Sequence, residues 1–127
     1  AFESLLYSRT LHKIAVKKDQ EYKPKRLKVF CTTFNVGEAE PGDTSLDGWL
    51  KESLECDLIA IGMQESDTAQ WLEAIQIYYE GKKFYIVSLV TMWQMLVIVL
   101  VSEKYCKFIT NVESDSKPTG FASLIGK

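Results

Sequence analysis

Apolar and polar positions change their period several times along this chain, and each change marks an element. Residues 27–34 are rich in Val, Phe and Thr and predict a strand. The segment from Val36 to Leu46 holds Gly37, Pro41, Gly42 and Asp43 and predicts a loop. Ser45 is placed to cap a helix reaching about Ser53, with Leu46, Trp49 and Leu50 turned inward. Leu58-Ile59-Ala60-Ile61, closed by Gly62, is a nearly continuous apolar run and predicts a strand buried on both faces. The chain then turns abruptly polar at Gln64-Glu65-Ser66-Asp67. Trp71, Leu72, Ile75 and Tyr79 recur at helical spacing, and Gly81-Lys82-Lys83 ends that helix.

Three more strands are predicted, at residues 84–91, 95–102 and 107–112. Residues 84–101 carry no formal charge and approach the roughly 20 apolar residues a membrane span needs. Ser88, Thr91 and Gln94 interrupt the run, and its β-branched residues fall into two clusters. Two buried strands with a turn near Met92-Trp93-Gln94 fit better than a transmembrane helix. At the other end, Phe2, Leu5, Leu6 and Ile14 predict a helix over 2–17, followed by a charged linker with Pro24. Residues 1–26 therefore read as an N-terminal helix and linker, ahead of the strand-and-helix pattern of 27–127. The fold class is α/β, with a mixed sheet flanked by helices, because the last connections are too short for parallel crossovers.

Composition narrows the function. The net charge of -2 argues against polyanion binding by bulk electrostatics, so no nucleic acid partner is expected. Phosphate recognition would have to be local, through a few placed bases and a metal. Cys31, Cys56 and Cys106 form no CxxC pair, so a zinc site is not expected. They read as reduced core thiols of a cytoplasmic protein. Ala1-Phe2-Glu3 does not begin a signal peptide pattern.

The candidate chemistry lies at two strand ends. Thr33-Phe34-Asn35-Val36-Gly37 ends one strand, and Ile61-Gly62-Met63-Gln64-Glu65 ends another. A helix joins the two strands, so they are expected to be parallel neighbours, with Asn35 and Glu65 emerging at the ligand-binding edge. Mg²⁺ takes one or two carboxylates and completes its shell with water and phosphate oxygen. Glu65 would supply a carboxylate, and Asn35 a neutral amide for a phosphate oxygen or water. From spacing alone, the simpler reading is a turn Asn before Gly and a Glu that favours a helix start.

A resemblance shifts that balance. The run Leu27 to Val36 resembles the strand ending in "TWNV" or "TYNV" of inositol polyphosphate 5-phosphatases. Asp57 to Glu65 resembles the family segment that ends in "GFQE", and Trp49-Leu50 and Trp71 fall where the family places aromatic helix residues. Thr119 to Lys127 resembles its "T-G…G-N-K-G" motif. The family belongs to the DNase I-like endonuclease/exonuclease/phosphatase superfamily. The resemblance implies the first half of a two-sheet α/β sandwich, with Mg²⁺ as cofactor. It implies Glu65 and Asn35 as catalytic metal-side residues, with Gln64 and Lys127 on the substrate side. The implied substrate is a phosphoinositide or a soluble inositol phosphate. From the residues themselves, peripheral membrane contact would fall to the basic pair Lys82-Lys83, or to the Met92-Trp93 tip. Core packing of that tip, and a solvated turn for the lysines, are the simpler readings of those residues.

Two departures keep alternatives open. Gly37-Glu38 stands where the family commonly has a second Asn or a Gly-Asn pair, and no Asn separates Gly126 from Lys127. The family's general-base Asp and phosphate-side His come from a later half, for which this chain offers no candidate. The chain alone is therefore expected to be inactive. A degenerate binding module and a nuclease of the same superfamily are the alternative readings.

Overall fold

The structure, a computed structural model, describes residues 26–43 and 45–117, with Asp43 in backbone only. The N-terminal helix expected over 2–17 and the phosphate-side Lys127 lie outside the described residues.

Among the described residues four strands form one sheet: β1 (Val29–Asn35), β2 (Leu58–Gln64), β3 (Phe84–Met92) and β4 (Met95–Ser102), in the spatial order β1-β2-β4-β3. β1 and β2 are parallel, as expected of strands joined through a helical crossover. That crossover holds α1 (Leu46–Leu50), which Ser45 caps by accepting the Gly48 N–H at 3.2 Å. A 3₁₀ stretch, Lys51–Glu55, follows it directly. α2 (Thr68–Tyr79) returns from β2 to β3, capped by Asp67. β3 and β4 form an antiparallel hairpin whose turn is Trp93-Gln94. The mixed α/β architecture is thus the one expected. No helix of the described residues is long and apolar enough to cross a membrane.

The core lies on the helix side of the sheet. Ile59, Ile61 and Met63 of β2 and Leu96, Ile98 and Leu100 of β4 are buried against Leu50, Trp71, Ile75 and Tyr79. Phe34 meets both Trp49 and Trp71 edge to face. Trp49 also donates its indole N–H to Thr32 Oγ1 at 2.9 Å, which ties α1 to β1.

The opposite face departs from expectation. β2 was expected to be buried on both sides, yet its residues alternate between buried and half-buried. Instead of a strand at 107–112, the chain makes the helical turn α3 (Glu103–Cys106) and then irregular backbone. The physical reason is packing. Tyr105, Phe108 and Ile109 swing across the sheet and cover Val87, Val101 and Leu58, so their apolar pattern serves a cap rather than a ladder. Among the described residues, only the far end of this face is covered. Towards the carboxyl ends of β1 and β2 it is bare, with Val97 47% and Met95 43% exposed. Cys31 lies exposed on β1, which corrects the expectation that all three thiols sit in a core; Cys56 is buried and Cys106 is intermediate.

Candidate metal and phosphate site

Parallel pairing sets Asn35 directly beside Gln64, so the two predicted strand ends meet at one edge of the sheet. Val36 N–H continues the ladder to the Gln64 carbonyl at 3.0 Å. The chain then reverses through Val36-Gly37-Glu38-Ala39. Gly37 and Glu38 both have positive φ, 56° and 64°, and Ala39 N–H closes the turn onto the Val36 carbonyl at 2.9 Å. Glycine takes that conformation freely, whereas a Glu there is strained. Glu38 N–H donates to the Glu65 carbonyl at 2.8 Å, and Glu65 itself has φ of 52°. Two strained backbone positions therefore support each other across the strand ends.

The side chains complete the arrangement. Asn35 Nδ2 donates to Glu65 Oε1 at 3.1 Å, and Asn35 Oδ1 accepts the Gly37 N–H at 3.0 Å. These two partners fix the amide's orientation, because the carboxylate needs a donor and the N–H an acceptor. Asn35 thus holds the Glu65 carboxylate in place, with its own oxygen already engaged by the turn. On the other flank, Ser66 N–H and Oγ–H both donate to the Gln94 carbonyl, at 3.0 and 3.1 Å. This bolts the Glu65 loop to the β3–β4 turn. Asp67 is spent on capping: its two oxygens accept Gln70 N–H and Gln70 Nε2 at 3.1 and 3.0 Å. Gln64 is half-buried, and its amide runs along the bare sheet face next to Gly62.

The donor set fits a hard cation. Glu65 is exposed and has one carboxylate oxygen engaged by Asn35. Among the described residues no three His, Cys, Asp or Glu side chains gather into a metal cage. A single protein carboxylate beside a neutral amide suits Mg²⁺, which keeps most of its shell for water and phosphate oxygen. It does not suit structural zinc, which needs four N or S ligands. The two loops carry Glu38, Glu40, Glu65 and Asp67 and no basic residue, so an anionic ligand here needs a bridging cation.

Sequence reasoning brought Asn35, Gln64 and Glu65 together correctly as neighbours. It missed the supporting contacts. Trp71 read only as a core residue, yet its indole N–H reaches the Ala39 carbonyl at 3.1 Å, behind the turn. A buried Trp must find an acceptor, and that was the available signal. Lys82 and Lys83 lie at the opposite end of the sheet, beyond the C-terminus of α2. There Lys82 stacks on the Tyr78 ring at 3.6 Å.

Comparison with known proteins gives this geometry a context. No protein-family model matches the chain. Phosphatidylinositol 3,4,5-trisphosphate 5-phosphatase 1 of Rattus norvegicus is 22% identical over 136 residues, covering 94% of this chain and 11% of the relative. The Xenopus laevis protein of that name is 23% identical over 137 residues, covering 94% of this chain and 13% of the relative. Among solved structures, the inositol polyphosphate 5-phosphatase domain of SPsynaptojanin, in complex with inositol (1,4)-bisphosphate and calcium ion, matches with a TM-score of 0.64. It is 22% identical, over 87% of this chain and 39% of that one. The chain has an inositol polyphosphate 5-phosphatase-like, DNase I-like fold. A point mutant of Cimex nitrophorin, as its ferrous NO complex, also matches, with a TM-score of 0.54 and 21% identity over 65% of this chain and 33% of that one. One architecture thus serves quite different chemistries, so the fold does not assign an activity. The chain spans about a tenth of the length of the curated relatives it matches.

Proposed function

We propose that this chain is the metal-side part of a phosphatase domain whose complete protein removes the 5-phosphate of phosphoinositides or soluble inositol polyphosphates with Mg²⁺. The observation that carries this reading is the Asn35–Glu65 hydrogen bond at the adjoining ends of two parallel strands. Glu65 would hold the ion, with Asn35 orienting its carboxylate. Mg²⁺ bound there would supply Lewis-acid stabilisation of charge on a phosphoryl oxygen. The chain's own residues do the rest of the positioning. The Gly37 turn aims Asn35, the Glu38 amide fixes the Glu65 backbone, and Gln64 faces the substrate side. Lys127 would approach the substrate phosphate. The attacking-water base and the second phosphate-stabilising group would come from residues beyond this chain, so the chain alone would not turn over.

Peripheral membrane contact belongs to the same reading. Trp93 is 64% exposed on the turn that Ser66 grips, beside Glu65. Tryptophan at such a tip favours the interfacial zone of a bilayer. The free thiols fit a cytoplasmic setting. The acidic loops argue against the nuclease alternative, which would need a basic track for the nucleic acid backbone.

The test is phosphate release by the full-length protein from a 5-phosphorylated phosphoinositide with Mg²⁺. Glu65→Gln should lower kcat by about 10²–10³-fold, the loss expected when one electrostatic stabiliser is removed. Turnover that survives Glu65→Gln would reject the assignment. Wild-type protein that binds Mg²⁺ without any phosphate release would favour the degenerate binding module.

A further inference from the structure

We infer that Trp71 is a positioning residue for this site, acting through its indole N–H rather than through its bulk. Trp71 is fully buried on α2 and packs edge-on against Phe34, one residue before Asn35. Its N–H donates to the Ala39 carbonyl at 3.1 Å, and Ala39 is the closing residue of the Gly37-Glu38 turn. From there the coupling is continuous. Ala39 N–H is bonded to Val36, Glu38 N–H to the Glu65 carbonyl, and Gly37 N–H to Asn35 Oδ1, whose amide holds Glu65 Oε1. The turn needs a restraint because Glu38 occupies a left-handed conformation that costs a non-glycine residue free energy. The Trp71 bond supplies one from the rigid side, out of a helix anchored in the core.

This inference rests on the reading of Glu65 as the metal-side carboxylate only for its functional consequence. The mechanical part stands separately. The position that sets the site is then not confined to the two loops: one turn of α2 participates, through a single part-buried hydrogen bond.

The experiment uses the full-length protein carrying this chain, in three forms beside wild type. Trp71→Phe removes the N–H and part of the ring. Replacement of Trp71 by 3-benzothienylalanine removes only the N–H and keeps the shape. Ile75→Val trims the same helix one turn later without touching the turn. Amide exchange of Gly37 and Glu38 in metal-free protein should speed up by about tenfold in both Trp71 variants, the loss expected for one net hydrogen bond. It should stay at the wild-type rate in Ile75→Val, and Ile59 and Ile61 amides should be unaffected throughout. The Mg²⁺ concentration that gives half-maximal thermal stabilisation should rise by a similar factor in the Trp71 variants alone. Unchanged Gly37 and Glu38 exchange in the benzothienyl form would overturn the inference, as would an equal rise in Ile75→Val. Wild-type protein without Mg²⁺-linked stabilisation would instead sink the reading of Glu65, and the exchange rates would still decide the role of Trp71.

Discussion

The two faces of the sheet differ sharply. On the helix side, Ile59, Ile61, Ile98 and Leu100 are shut away from water by α1 and α2. On the other side, among the described residues, Tyr105, Phe108 and Ile109 cover only the end remote from the site, and Val97 and Met95 next to the site are exposed. In register, Val97 lies across from Gly62, which pairs with Thr33, so the bare patch runs straight up to Asn35 and Gln64. The covered face explains why these strands hold together at all. The bare face is the one that a second sheet covers in a two-sheet sandwich, and its position next to the strand ends shows where the remaining walls of such a site would stand. Stability and chemistry are thus drawn from opposite sides of the same strands.

Substitutions should separate the two faces. Ile61→Ala deletes a fully buried side chain at the centre of the covered face, with little room for collapse between β2 and α2. It should cost about 2–5 kcal/mol in urea unfolding. Val97→Thr, adjacent in sequence to the equally central Ile98 but on the other face, keeps the β-branched shape. In the 127-residue chain it should change stability by less than about 0.5 kcal/mol. In the full-length protein the same hydroxyl should cost about 1–3 kcal/mol, because a covering sheet would bury it without a partner. Equal, small effects of Val97→Thr in both forms would break the comparison, leaving the bare face a true surface.

The same division accounts for what was legible in the sequence. β1 and β2, their parallel pairing and the meeting of Asn35 with Glu65 followed from an apolar-rich strand on either side of a helical crossover, because local pattern and topology agree there. The failures all lie where a face, rather than a period, decides. Leu58-Ile59-Ala60-Ile61 looks buried on both sides because Ala60 is apolar, but only Ile59 and Ile61 meet the helices. The apolar residues Phe108 and Ile109 resemble a strand, yet they pack flat on the existing sheet. Trp93 reads as core by composition, and it stands on a turn with φ of 53°, pointed into solvent. The orientation of the Asn35 amide was not legible: its oxygen is committed to Gly37, which no spacing rule reveals.

Trp93 offers a smaller effect on the exposed side. Trp93→Ala should leave the fold and the hydrolysis of soluble inositol phosphates unchanged in the full-length protein. Hydrolysis of the same headgroup in lipid vesicles should fall by about tenfold, matching partial loss of an aromatic's transfer energy. An equal loss on both substrates would move Trp93 from the membrane into the site, and no loss on either would return the tip to plain surface.

The smallest effect probes the outer rim of the covered side, where α1 and α2 are joined by Tyr78 donating its hydroxyl to Asp47 Oδ1 at 3.0 Å. Burial, and then the hydrogen bond and charge of Asp47, push the Tyr78 phenol up to about 12 from the usual 10. A raised folded value means that the neutral phenol is the form the fold prefers. Its contribution to stability is therefore complete below pH 10 and is lost as pH rises towards 12. Because Tyr78 is only half-buried, the loss should be slight. A phenolate difference titration between wild type and Tyr78→Phe should place this group near 12, and Asp47→Asn should lower it part of the way, since burial remains as the larger cause. A Tyr78 transition that Asp47→Asn leaves in place would mean that the two helices are held by the core alone. The covered face would then owe nothing to its polar rim.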